Sequence, residues 1–247
     1  MPDLHKKIIL ITGASDGIGF ATTKLLLAKG AHVIALGRNQ KNLEKLNQYA
    51  EEKDYTLTIS ALDLKEPKQV TELSNILTKR FKKLDALIAN AAIMGEITPL
   101  NQYNAKKWQE VIFTNLTANW LLIRNFDYLL KQAESPQMLF TTCKMSKQNN
   151  AYWGAYLTSK TALQKMFQIY AAENNTTNLR VNLLDPGTCN TKLRHHAFPG
   201  ENKSTLKTPE AICQIFLHCL THNNIANGEF LYYDKNEKIT QTKKLEW

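Results

Sequence analysis

The chain has 247 residues, 43% of them hydrophobic, and 31 Lys and Arg against 22 Asp and Glu give a formal charge of +9. That is enough chain to bury one large core, and α/β folds often run to this size as one domain, expected here over residues 1–247. No apolar run is long enough to span a bilayer. The first strand candidate starts within a few residues of the N-terminus, which leaves no room for a signal peptide. Cys143, Cys189, Cys213 and Cys219 form no Cys-x-x-Cys pair, so neither a zinc site nor a disulfide framework is expected, and the expected compartment is the reducing cytoplasm. The positive charge raises nucleic acid, an acidic membrane surface or an anionic substrate as partners. The lysines are scattered, however, and cluster only in pairs such as Lys6-Lys7, Lys82-Lys83, Lys106-Lys107 and Lys243-Lys244. A solvated lysine-rich surface is the expected reading, without nucleic acid or membrane as a partner.

The first element is a strand over Lys7–Thr12, built on Ile8-Ile9-Leu10-Ile11. It runs into Thr12-Gly13-Ala14-Ser15-Asp16-Gly17-Ile18-Gly19 and then into a helix near Gly19–Lys29. A buried strand, a glycine turn and a helix start make a phosphate cradle. Gly13 allows the tight turn, Gly17 and Gly19 keep side chains away from a pyrophosphate, and the free N–H groups of the helix start face its charge. The second strand, His32–Gly37, ends at Gly37-Arg38-Asn39. A carboxylate for a ribose 2′-OH is missing there, while Arg38 offers a planar fork of donors suited to a 2′-phosphate. A helix over Asn42–Glu52 follows, then a strand over Thr56–Leu62 that ends at Asp63-Leu64. Next come a helix over Pro67–Phe81, a strand over Ala86–Ala89 leading to Asn90-Ala91-Ala92, and a helix over Lys106–Leu130.

The remaining strands are expected over Met138–Thr142, Arg180–Leu184 and Glu229–Tyr233, with helices over Tyr156–Glu173 and Pro209–Leu220. About seven strands alternating with helices predict an α/β, doubly wound parallel sheet of the Rossmann type with helices on both faces. Ligands should bind beyond the C-terminal strand ends, at the topological switch point. Thr188–Lys207 has the least pattern and is expected to form a substrate lid loop. It carries Lys192, Arg194, His195, His196 and Lys203 against Glu201, so it is either a rim that attracts an anionic or acyl-carrier-linked substrate or a plain solvated loop.

Tyr-x-x-x-Lys puts a phenol and an ammonium one helical turn apart on the same face, where the lysine can lower the phenol's pKa. The spacing occurs at Tyr49–Lys53, Tyr103–Lys107 and Tyr156–Lys160. Only the third opens a helix after the fifth strand, within reach of the C-terminal sheet edge.

On these residues the chain resembles the classical short-chain dehydrogenase/reductase family over almost its whole length, and within it an NADP-preferring bacterial branch. The matching motifs are Thr12–Gly19, Ala89-Asn90-Ala91-Ala92, Asn115 in Thr114-Asn115-Leu116, Tyr156–Lys160, and Pro186-Gly187 at the end of Arg180–Gly187. The resemblance implies an NADP(H)-dependent oxidoreductase that interconverts a carbonyl and an alcohol. Tyr156 would give a proton to the carbonyl oxygen as hydride arrives from the nicotinamide. Lys160 would bind the nicotinamide ribose and lower the tyrosine pKa, and Asn115 would hold a relay water. Gly13, Ser15, Asp16, Gly17, Ile18 and Gly19 would form the pyrophosphate turn, and Arg38 with Asn39 would meet the 2′-phosphate. Asp63 and Leu64 would flank the adenine, Asn90, Ala91 and Ala92 would line the cleft, and Pro186, Gly187, Thr188 and Thr191 would complete it. A homodimer or homotetramer is implied as well, built on the helices Lys106–Leu130 and Tyr156–Glu173. Trp120, Leu121, Phe167 and Tyr170 make these more apolar than one buried stripe needs. One position departs from the family. Where its catalytic Ser belongs, thirteen residues before the Tyr, stands Cys143, a weaker donor. Thr142 points to the opposite face if it continues the strand, and Ser146 is another substitute if the loop bends. A nucleotide-binding sensor or scaffold with little turnover therefore stands as the alternative.

Overall fold

The structure, a computed structural model, describes residues 4–147, 150–222, 224–234, 236 and 238–242, with the backbone alone for 146 and 147. The Ser146 hydroxyl and Lys243-Lys244 lie outside the described residues. Seven strands fall within one residue of expectation at each end: β1 Ile8–Thr12, β2 His32–Gly37, β3 Leu57–Ala61, β4 Ala86–Ala89, β5 Gln137–Thr141, β6 Arg180–Asp185 and β7 Phe230–Tyr233. An eighth, β8 Ile239–Thr242, pairs antiparallel with β7 and was not expected. It is a short, mostly polar edge strand, without the apolar run that marks the buried ones.

The sheet order is β3-β2-β1-β4-β5-β6-β7-β8. The chain winds outward from β1 through β2 to β3, then returns to β4 on the other side of β1. Every pairing but the last is parallel. The switch point therefore lies between β1 and β4. Strand residues alternate between the faces, as a two-residue period requires. Leu10, Ile34, Leu36, Met138 and Phe140 pack into one apolar layer. Ile9, Ile11, Val33, Ala35 and Leu139 pack into the other. One layer is closed by α3 Pro67–Phe81, α5 Ala118–Lys131 and α6 Gly154–Glu173. The other is closed by α1 Gly17–Ala28, α2 Gln40–Glu52 and α9 Gln214–Thr221. Leu121, Phe167 and Tyr170 belong to the first layer, so only Trp120 of the four apolar residues singled out on the long helices is exposed.

Three expected elements take a different form. The helix expected over Lys106–Leu130 is α4 Ala105–Ile112 and α5 joined by a π turn, Phe113–Thr117. The helix expected over Pro209–Leu220 divides at Cys213 into α8 Pro209–Ile212 and α9. The Thr188–Lys207 segment is not an unpatterned loop. It holds α7 Lys192–Ala197 and a 3-10 turn, Lys203–Thr205, and a Cys189–Lys207 bridge closes its ends. Thr191 caps α7 by accepting from Arg194 N, a local signal too short for periodicity to reveal.

Two of the scattered lysines are not simply solvated. Lys7 and Lys83 both bind the Asp85 carboxylate, at 3.2 and 3.1 Å, and that carboxylate also accepts from Ile8 N. Asp85 is 4% exposed, and a charge buried to that degree needs such partners. Among the described residues no helix is long and apolar enough to cross a membrane.

Candidate active site

A cleft of about 880 Å³ opens at the C-terminal ends of the strands, over the switch point. At its floor β1 passes into α1 through Gly13 and Gly17, with φ of +70° and +51°. This left-handed region is open to glycine at little cost. A Cβ on Gly13 would lie 3.0 Å from Ala91 Cα, and one on Gly19 only 2.2 Å from the Gly13 carbonyl oxygen. The turn is bare backbone by necessity. Asp16 caps α1 by accepting from Gly17 N at 2.8 Å, and the first-turn N–H groups without an i−4 partner remain for an anion. The adjacent β4 end is stapled to the turn. Thr12 Oγ1 accepts from the N–H groups of Asn90 and Ala91, and Asn90 Nδ2 donates to Thr12 O.

The missing carboxylate after β2 has a steric cause. A Cβ on Gly37 would sit 2.7 Å from Ser15 Cβ and Oγ, so a side chain there collides with the glycine turn. Arg38 is exposed at the cleft lip, and no described residue is paired with it. Asn39 also lines the cleft, but its Oδ1 accepts from Asn42 N and caps α2.

The chemistry-bearing groups converge at the other end of the cleft. Tyr156 opens α6 and is 8% exposed, and its phenol is hydrogen-bonded to Cys143. The Cys143 side chain thus stands beside the tyrosine hydroxyl. Thr142 turns away, its Oγ1 accepting from Gln164 Nε2 at 3.1 Å. One turn along α6, Lys160 is buried and donates to Thr141 O at 2.8 Å. Burial pulls its pKa from 10.5 down to about 8. The expected lowering of the tyrosine pKa is not what the site shows. Burial, with Cys143 and Asp185 adding to it, pushes the phenol well above 10. Lys160 Nζ lies 5.9 Å from the centre of the tyrosine ring and is turned to the Thr141 carbonyl.

Asn115 sits in the π turn and is fully buried, behind the cleft lining. Its Oδ1 accepts from Ile93 N, and its Nδ2 donates to Ile93 O and Ser159 Oγ. Both amide hydrogens are committed to the chain itself, so the side chain fixes the β4 loop to α6 and does not hold a relay water through its nitrogen. Like Asn115, Gly19 is absent from the lining and acts through close packing. Ser15, Asp16, Gly17, Ile18, Asp63, Leu64, Asn90, Ala91, Ala92, Pro186, Gly187, Thr188 and Thr191 all line the cleft with Gly13 and Arg38.

The Thr188–Lys207 segment carries less free charge than its sequence suggests. Arg194 is held by Glu201 in a two-pronged pair, with both N–O distances 2.6 Å. Lys192 reaches Asp16 at 2.6 Å, and His196 Nε2 donates to Gly95 O at 2.9 Å. These contacts tie α7 to the glycine turn and to the loop after β4.

Sequence reasoning missed three groups. Asp185, at the end of β6, is 5% exposed and accepts from Lys144 N at 3.0 Å and Gly187 N at 2.9 Å. It therefore fixes the Cys143-Lys144 turn and the Pro186-Gly187 turn at once, and burial raises its pKa. Its place just before Pro-Gly was the available signal. Thr114 and Thr141 each have a buried hydroxyl in the cleft wall with no partner, and nothing in the sequence separates these threonines from packed ones. The bare turn, the unpaired Arg38 and these two orphaned hydroxyls fit a bound polar molecule that carries phosphate.

A family model for short chain dehydrogenases matches residues 7–202. The oxidoreductase YciK of Escherichia coli K12 is 35% identical over 87% of this chain and 86% of its own. A short chain dehydrogenase of Shigella flexneri 2a, solved with NADP, superposes with a TM-score of 0.86 at 33% identity, covering 90% of this chain and 95% of that one. Another, of Escherichia coli CFT073 with NADPH, gives 0.85 at 33% identity over 90% and 94%. The sheet order, the glycine turn and these matches lead to one conclusion, that the chain belongs to the short chain dehydrogenase family.

Proposed function

We propose that the protein is an NADP(H)-dependent oxidoreductase that interconverts a carbonyl and an alcohol, with Tyr156 as general acid and base. The observation that carries this reading is the cluster of buried Tyr156 and Lys160 with half-buried Cys143 in a cleft that also holds a bare glycine turn and Arg38. The cofactors bound by the two neighbours support the same choice. When bound, NADP(H) supplies or accepts a hydride. The backbone of the glycine turn holds the pyrophosphate, and Arg38 forks onto the 2′-phosphate.

In the reducing direction Tyr156 gives its phenolic proton to the carbonyl oxygen, and in the oxidising direction it takes a proton from the alcohol. Burial keeps the free phenol protonated near neutral pH, which suits the reducing direction. Cys143 donates a weak hydrogen bond to the same oxygen. The Lys160 ammonium stabilises negative charge that develops there. Asn115 and Asp185 act as positioning residues, by tying the surrounding turns together. Four free thiols, at Cys143, Cys189, Cys213 and Cys219, support placing the protein in the reducing cytoplasm.

Cys143 also favours a second reading, a nucleotide-binding protein with little turnover. One assay separates the two. NADPH oxidation is followed against ketones, aldehydes and diketones, and NADPH affinity is measured by fluorescence titration. The enzyme reading expects turnover that Tyr156→Phe lowers by about a hundred- to ten-thousandfold with affinity intact. Full activity in Tyr156→Phe refutes the assignment of Tyr156. Tight NADPH binding without turnover of any carbonyl supports the second reading.

A further inference from the structure

We infer that the chamber beside Tyr156 accepts an uncharged carbonyl compound with an apolar aryl or alkyl flank and turns away its charged analogues. This rests on the oxidoreductase reading and adds the substrate class to it. Tyr156 packs in a separate apolar cluster with Met94, Met145, Trp153, Leu193, Ala197 and Phe198, of which all but Phe198 line the cleft. Trp153 lies 5.3 Å from Phe198 and 6.1 Å from Tyr156 between ring centres, so Phe198 backs Trp153 and Trp153 carries aromatic surface to the phenol. Flat aromatic faces favour aryl or alkyl groups. The two methionines bend to fit different outlines, which predicts tolerance of shape.

Among the described residues, the charged groups near this chamber are already engaged. Arg194 is locked to Glu201 and lies 3.8 Å over the Phe198 ring. Lys144 sits 3.4 Å over the Tyr232 ring. Asp185 takes two backbone N–H groups. Lys192 pairs with Asp16 of the glycine turn. The Lys160 ammonium is bonded to Thr141 O and serves the carbonyl oxygen, so a carboxylate brought into the chamber beside Tyr156 would lose its water and find no second cation to pair with. Lys192 and Arg194 are therefore not available to the anion-steering rim that their sequence suggests.

The test uses a matched pair with one reactive carbonyl, methyl benzoylformate and the benzoylformate anion, on the NADPH-saturated protein. The expected kcat/KM favours the ester by about a hundredfold or more, as the loss of carboxylate hydration requires. Equal values, or preference for the anion, overturn the inference while leaving the oxidoreductase reading intact. Leu193→Arg places a cation in the wall and should narrow the gap by about tenfold or more with NADPH affinity unchanged. An unchanged gap in this variant also counts against the inference. If neither compound turns over although NADPH binds, the oxidoreductase reading fails on this pair. The chamber is then judged by fluorescence quenching that is lost in Trp153→Phe, and the inference falls if the anion quenches as well as the ester.

Discussion

Lys160 is a buried ammonium, and its burial sets a measurable pH dependence of stability. Its pKa is about 8 in the folded protein against an ordinary 10.5. Between those values the unfolded chain holds a proton that the folded chain has released, so stability rises with pH across that window. The penalty is complete below pH 8 and gone above 10.5. From pH 7.5 to 9.5 the recovered part is about 2 kcal/mol, taking 1.36 kcal/mol per pKa unit and the partial titration at each end. Lys160→Met keeps the length and removes the charge. Urea denaturation of both proteins at the two pH values gives the difference directly, since other groups that titrate cancel between them. The stability of wild type relative to the variant should rise by about 2 kcal/mol on going to pH 9.5. The same variant should lose turnover. A difference that stays flat with pH refutes the reasoning, because it means that the ammonium is solvated and that its bond to Thr141 O is not formed in a dry site.

Cys143→Ser should raise turnover on simple carbonyls, by less than the roughly hundred- to thousandfold that a full oxyanion donor is worth. Flat turnover or a lower melting temperature would show that the thiol is only a packing group. Arg38→Ala should weaken NADPH binding by roughly ten- to a hundredfold and leave NADH binding unaltered; equal affinities for the two cofactors in wild type would contradict that role. A homodimer or homotetramer built on α5 and α6 should appear in light scattering. Trp120, Tyr128 and Ile169 are 47%, 68% and 51% exposed on those helices, so Trp120→Lys with Tyr128→Lys should yield monomers. A monomeric wild type at micromolar concentration would remove the expectation.

Local signals in the sequence determined much of this protein. A buried parallel strand reads as an unbroken apolar run, so seven strands were placed within one residue at each end. Bare-backbone positions must be glycine, so the tight turn at Gly13, Gly17 and Gly19 is legible, and the helical repeat sets Tyr156 and Lys160 on one face. What escaped depended on neighbours far along the chain. The antiparallel β8 is polar because an edge strand is only partly buried. The π turn at Asn115 has no residue signature, and the bonds of that side chain to Ile93 and Ser159 join segments far apart in the chain. Asp185 gains its place by accepting from amides on two separate turns. The pKa of Tyr156 moved opposite to the motif's promise, because spacing gives proximity to Lys160 but not the depth of burial. Lys192 and Arg194 look free in sequence and are paired in space, with Asp16 and Glu201. A sequence lists charges and donors, and only the tertiary structure decides which of them meet and how much water remains between them.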